Sequence, residues 1–142
     1  GNGGILPNPH LIQEIRYEDG SVRRPDYTSE RRVISENTSK TITRMLVKVV
    51  DDALLHGKAK LAKYTVAAKT GTAQMANSSG GYYDDRYIHS FFAYFPAYDP
   101  KFLVFMYAVY PKGATYASET LTIPTMDTAR FLLSYYNIPP DR

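Results

Sequence analysis

Ser90-Phe91-Phe92-Ala93-Tyr94-Phe95-Pro96-Ala97-Tyr98-Asp99-Pro100-Lys101-Phe102-Leu103-Val104-Phe105-Met106-Tyr107-Ala108-Val109-Tyr110 consists of two apolar, aromatic-rich runs separated by a short turn sequence. Ser90–Phe95 and Phe102–Tyr110 read as strands, and a connection this short makes them antiparallel neighbours. Both runs are apolar at alternate and intervening positions alike, which predicts helices packed on each face of the sheet. Upstream, Tyr64–Met75 carries β-compatible residues without a helical period and reads as a third strand. A loop is expected over Ala76–Arg86, where Ser79-Gly80-Gly81 breaks the pattern.

Helices flank these strands in the sequence. Ile42, Met45, Leu46, Val49, Val50, Ala53 and Leu54 recur at intervals of three and four, which predicts one helical face. Ser35 is its expected N-cap and Gly57 its expected stop, with Lys40, Arg44, Lys48, Asp51 and Asp52 on the wet side. After a loop over Pro111–Ala117, the spacing of Ile123, Met126, Ala129, Leu133 and Tyr136 predicts a closing helix. Thr122 is its expected N-cap, with Pro124 in the first turn. Near the start, Leu11, Ile12, Ile15 and Tyr17 suggest a short strand, with Glu18-Asp19-Gly20-Ser21 as a hairpin turn and Val22 beginning the return. The fold class is α+β: an antiparallel sheet flanked by helices.

At 142 residues the chain is about one domain long. Its 44% hydrophobic and 22% charged residues fit a globular protein rather than a disordered one. No run approaches the roughly 18 apolar residues of a membrane span, and Gly1-Asn2-Gly3-Gly4 does not resemble an export signal. Without cysteine there is no disulfide, thiolate nucleophile or cysteine-ligated zinc, and the redox compartment stays open. The formal charge of +3 is a weak argument for an anionic partner. The densest basic group, Arg23-Arg24 with Arg31-Arg32, is interrupted by Asp26 and Glu30.

Lys69-Thr70-Gly71-Thr72 places a cation, two hydroxyls and a glycine together within a strand. Lysine and threonine can hold a carboxylate, and glycine in a strand suits close approach by a ligand or another backbone. An extended peptide laid along such a strand would gain main-chain hydrogen bonds. Taken alone, the tetrapeptide reads more readily as a solvated lysine beside a bulge glycine.

The wider context resembles the C-terminal portion of the transpeptidase domain of class B penicillin-binding proteins, in which Lys-Thr-Gly accompanies Ser-x-x-Lys and a Ser-Asn-type motif. Asn2-Gly3-Gly4 with Pro9-His10-Leu11 is similar to the segment that this family places after its second motif. Val33-Ile34-Ser35 is similar to the start of its long helix, and Ala67-Ala68-Lys69-Thr70-Gly71-Thr72-Ala73-Gln74 to its extended third motif. Ser90-Phe91-Phe92 through Pro96-Ala97, Asp99-Pro100, Phe102–Tyr110 and Ile138-Pro139-Pro140 keep the family's order.

The resemblance implies a partial β-lactamase/transpeptidase-like domain spanning residues 1–142, from a parent that cross-links peptidoglycan through an acyl-serine. It implies a stem peptide ending in D-alanyl-D-alanine as substrate, β-lactams as its mimics, and no cofactor. Lys69 would organise proton transfer and the substrate carboxylate, with Thr70 and Thr72 as side-chain donors. Gly71 would leave room for the stem peptide, and the Thr72 backbone N–H would be an oxyanion-hole donor. The parent is expected to be anchored in the bacterial cytoplasmic membrane, with this part on the outer side.

No Ser-x-x-Lys occurs in the chain, so the isolated chain is expected to be inactive. Ser35-Glu36-Asn37 matches Ser-x-Asn in form but reads as a helix cap. An uncovered sheet face is expected to make the isolated chain self-associate. His10, His56 and His89 lack the spacing of a zinc pair and read as ordinary, Asp84-Asp85 and Asp99 as loop and turn residues. Gly57-Lys58 lacks the rest of a phosphate loop. Two rivals remain. One is a nucleic-acid module stacking bases on Phe92, Tyr94 and Tyr107, which lacks the expected aromatic motif, so no nucleic-acid partner is expected. The other is a degenerate, non-catalytic docking domain.

Overall fold

Ser35 opens the first long helix as the spacing predicts, with its hydroxyl accepting the Thr38 N–H at 3.0 Å. A computed structural model describes residues 1–27 and 31–142. Glu30, read as interrupting the arginine group, lies outside the described residues. The element order is β1 (Ile5–Leu6), β2 (Ile15–Arg16), β3 (Val22–Arg23), β4 (Arg31–Arg32), α1 (Glu36–Lys48), β5 (Ala67–Ala76), β6 (Tyr82–Phe95), β7 (Phe102–Val109) and α2 (Ala117–Tyr135). A π turn over Val49–Ala53 and a 3-10 turn over Leu54–Gly57 extend α1.

Two small ribbons, β1 with β4 and β2 with β3, precede the main sheet, which runs β5-β6-β7 with all pairs antiparallel. The expected hairpin at Glu18–Ser21 is present, but its strands hold only two residues each, and Leu11 and Ile12 stand outside it, exposed. The pairing of Phe95 with Phe102 sets the register of the β6–β7 hairpin.

Alternation across this register sorts the sheet into two faces. Ala68, Phe91, Ala93, Phe95, Val104 and Met106 face α2. They close on Leu121, Met126, Ala129 and Leu133, with Val50 and Leu54 from the end of the α1 region. Phe91 and Phe95 are fully buried, each contributing about 1.5–3 kcal/mol through removal of apolar surface from water. The other face carries Ala67, Lys69, Phe92, Tyr94, Leu103, Phe105 and Tyr107. Here α1 covers only one end: Val47 packs on Ala67 and Tyr94, and the Thr43 and Tyr94 hydroxyls meet at 2.8 Å.

Four expectations need correction. The second sheet face is not covered throughout, since Leu103 is 70% and Tyr107 66% exposed. The α1 stripe is rotated: Ser39, Thr43 and Val47 are buried, whereas Ile42 and Met45 are exposed. Small hydroxyl side chains let the helix approach the sheet closely, and the Tyr94 hydroxyl satisfies Thr43, so polarity does not mark the wet side here. The expected loop over Ala76–Arg86 is mostly strand, with β6 beginning at Tyr82 beyond a turn at Asn77–Gly81. A protruding hairpin is wet on both faces, so Asp84-Asp85-Arg86 can be charged without leaving the ladder.

The fourth concerns α2, which starts at Ala117, so Thr122 is an interior residue. It is fully buried and donates its hydroxyl proton to the Ser118 carbonyl at 2.7 Å. Pro124 consequently lies inside the helix, not in its first turn. At the other helical terminus, Gly57 sits at φ +82° and a Cβ there would approach the Asp51 carbonyl at 3.0 Å, so the glycine stop holds.

The chain's last residues tie back to the segment that leads into β5. Arg142 makes a fork to Asp51 at 2.5 and 2.9 Å and donates to the Leu61 carbonyl at 3.0 Å. This pairing holds the guanidinium pKa above its usual value. Asp141 accepts the Thr65 N–H at 2.7 Å and the Thr65 hydroxyl, fixing the approach to β5.

Candidate functional site

β5 is an edge strand among the described residues, with β6 on one side only. An edge strand alternates its backbone groups between its neighbour and open space, which is the requirement for receiving an added extended chain. Lys69-Thr70-Gly71-Thr72 lies in the middle of β5, opposite Phe92, Phe91, Ser90 and His89 respectively.

The pleat divides these four residues. Lys69 and Gly71 face the open side of the sheet, Thr70 and Thr72 the side of α2. Lys69 is exposed, and its ammonium donates to the Thr70 carbonyl at 2.7 Å. A Cβ on Gly71 would stand 2.6 Å from Ser90 Oγ, so glycine makes room for that hydroxyl. Thr70 is half-buried. Thr72 is exposed overall, yet its Oγ1 accepts the Ala117 N–H at 3.0 Å. Ala117 is the first residue of α2, so a strand threonine supplies a side-chain cap for the helix.

The α2 start is held from several directions. Glu119 accepts the Thr115 and Tyr116 N–H groups at 3.0 and 2.9 Å. His89, fully buried in β6 opposite Thr72, reaches the Thr115 carbonyl through Nε2 at 3.0 Å and Thr120 Oγ1 through Nδ1 at 2.9 Å. Chemically, β5 presents a cation on one face and, on the other, a hydroxyl with one lone pair engaged by an N–H. That hydroxyl keeps its proton available for an incoming anion.

Residues 1–127 match the penicillin binding protein transpeptidase domain family. The chain belongs to this family. Penicillin-binding protein PbpB of Mycolicibacterium smegmatis is 31% identical over 147 aligned residues, covering 97% of this chain and 23% of the relative. Stage V sporulation protein D of Bacillus subtilis is 34% identical over 125, covering 87% of the chain and 19% of its own length. Among solved structures, penicillin binding protein 3 of Mycobacterium tuberculosis superposes with a TM-score of 0.83 at 28% identity, covering 99% of this chain and 34% of that one. The same protein has also been solved with ampicillin and with aztreonam. The chain thus spans about a fifth of the curated relatives' length and a third of the structural neighbour's.

The resemblance carried by Ala67–Gln74 and the flanking segments is therefore borne out, as is the α+β fold of antiparallel sheet and helices. The stacking platforms of the nucleic-acid rival are not on one open surface, because Tyr94 is buried with its hydroxyl on Thr43. Among the described residues no helix is long and apolar enough to cross a membrane. Sequence reading missed His89. The available signal was its place on the α2 face of β6, an apolar strand whose neighbours on that face are Phe91 and Ala93.

Proposed function

We propose that the parent protein is a penicillin-binding peptidoglycan D,D-transpeptidase and that this chain supplies its substrate strand. The observation carrying the proposal is the Lys69–Thr72 motif on an edge strand, with the Thr72 hydroxyl already accepting the Ala117 N–H. A serine contributed from outside this chain attacks the carbonyl of the penultimate D-alanine of a stem peptide. The amide C–N bond breaks and the terminal D-alanine leaves with a proton. The amine of a neighbouring stem then attacks the acyl-serine, forming the cross-link and releasing the hydroxyl.

In this reading Lys69 organises proton transfer and binds the stem carboxylate, while Thr70 and Thr72 donate to that carboxylate. Gly71 leaves the stem peptide close to the strand. The Thr72 N–H, pointing away from β6, shares the oxyanion with the serine N–H, and losing such a donor costs about 3 to 4 kcal/mol of barrier. β-Lactams present the same carboxylate and carbonyl and remain on the serine. Residues 1–142 form a single partial domain, inactive alone, within a parent anchored in the bacterial cytoplasmic membrane and working on its outer side. The open apolar face around Phe105 and Tyr107 drives self-association of the isolated chain. Sedimentation as a monomer without binding of an apolar-surface dye would contradict that last point.

The experiment for the main proposal labels the full-length parent with a reporter β-lactam and maps the adduct by peptide mass. An adduct on an upstream serine, lost in Lys69→Ala, is the expected result. A folded parent that takes no label would overturn the proposal in favour of a docking domain.

A further inference from the structure

Thr72 meets the start of α2 through the Ala117 N–H, and His89 meets the same turn from β6. The Ala117 N–H occupies an acceptor lone pair of Thr72 Oγ1 at 3.0 Å, which turns the hydroxyl proton away from the helix. Ala117 can do this only if the first turn of α2 stays in place against β5 and β6. Glu119 closes that turn on itself, and two contacts from one ring tie it to β6. A carbonyl only accepts, so His89 Nε2 carries the proton in its 3.0 Å bond to Thr115, two residues before Ala117. In the neutral ring, Nδ1 then accepts the single Thr120 hydroxyl proton at 2.9 Å, three residues after Ala117, the Ala117 carbonyl being the longer alternative acceptor at 3.3 Å. The ring is fully buried and paired with Thr72 across the strands, so the latch runs from β6 through the start of α2 to the hydroxyl on β5.

We propose that His89 is a positioning residue for carboxylate recognition, holding the start of α2 so that the Thr72 hydroxyl is preset as a donor. The inference rests on the transpeptidase reading above. His89 does not touch substrate and moves no proton in the reaction. It clamps Thr115 and Thr120 on either side of the one N–H that orients Thr72. A phenylalanine at this position keeps the ring volume but removes both hydrogen bonds, whereas the glutamine amide reaches the region of Nε2 and can still donate to Thr115.

The test uses the full-length parent and compares penicillin acylation in wild type, His89→Phe, His89→Gln and Thr120→Val. His89→Phe is expected to lower the second-order acylation constant about tenfold, less than the roughly hundredfold that misplacing the reacting groups by about 1 Å can cost, because the carboxylate contact is remote from the reacting atoms. The change should lie in the affinity of the encounter complex, with the limiting acylation rate unchanged. His89→Gln should recover most of the loss, and Thr120→Val should fall about threefold, the effect of one hydrogen bond. The methyl ester of the same penicillin, lacking the carboxylate, should react equally with wild type and His89→Phe. Wild-type acylation by His89→Phe and Thr120→Val, or an equal loss with the ester, would overturn the inference. Should His89→Phe fail to fold, Thr120→Val decides it by the same criteria. An unlabelled wild-type parent would instead remove the transpeptidase reading itself.

Discussion

The two faces of the β5–β6–β7 sheet are built from similar residues and end in different states. On the α2 face, aromatic and aliphatic side chains of β6 and β7 meet Leu121, Met126, Ala129 and Leu133 and leave water. On the opposite face, equally apolar β7 residues remain exposed beyond the reach of α1, although Phe105 and Tyr107 still lie near each other, ring centroids 6.3 Å apart. Apolar composition marks both faces for burial, but among the described residues only one is covered throughout, α1 reaching just one end of the other. Lys69 sits on the open face, and Thr72 is latched on the closed one.

That contrast is open to direct attack. Phe91→Ala, on the closed face, should cost about 3–5 kcal/mol in urea unfolding of this chain, because it leaves a cavity between β6 and α2. Phe105→Ser, on the open face, should change stability by less than about 0.5 kcal/mol while reducing self-association. Equal destabilisation by the two changes would erase the distinction. Removing the Tyr94 hydroxyl by Tyr94→Phe leaves the buried Thr43 hydroxyl without its partner, with an expected loss of about 1–3 kcal/mol in the same assay.

Smaller effects are expected away from both faces. Arg142→Ala breaks the fork to Asp51 and the bond to Leu61, and a loss of about 1–2 kcal/mol in thermal or urea unfolding should follow. The smallest effect concerns Glu36, whose carboxyl is held below its usual 4.5 by the hydrogen bond and charge of Lys40. A folded-state pKa below the unfolded one stabilises the fold above the unfolded value, and this contribution is lost as pH falls through the folded value. Glu36→Gln should therefore be slightly less stable than wild type at pH 7 and indistinguishable once the pH is below both values. A difference that persists in acid would point to packing rather than charge.

How far the chain was legible from its residues depends on whether the cause was local. Ser35 and Gly57 end their helical segment by contacts within a few residues, and both were readable. The Ser90–Tyr110 hairpin was readable because a short turn and two apolar runs suffice to specify it. The start of α2 was misread at Thr122 because Ala117 is capped by Thr72, 45 residues away in sequence. The buried face of α1 was misread because Ser39 and Thr43 are polar in composition yet buried, Thr43 being satisfied by Tyr94. Lys69–Thr72 could be found as a contiguous motif, whereas the division of its side chains between two faces and its connection to His89 required the register of β5 on β6.

The most direct measurement is the crystal structure of the full-length parent after reaction with a penicillin. The account predicts an acyl adduct lying along β5, with its carboxylate at the Thr72 hydroxyl and its carbonyl oxygen at the Thr72 N–H. An adduct bound away from β5, or one whose carboxylate and carbonyl oxygen both avoid Thr72, would contradict it.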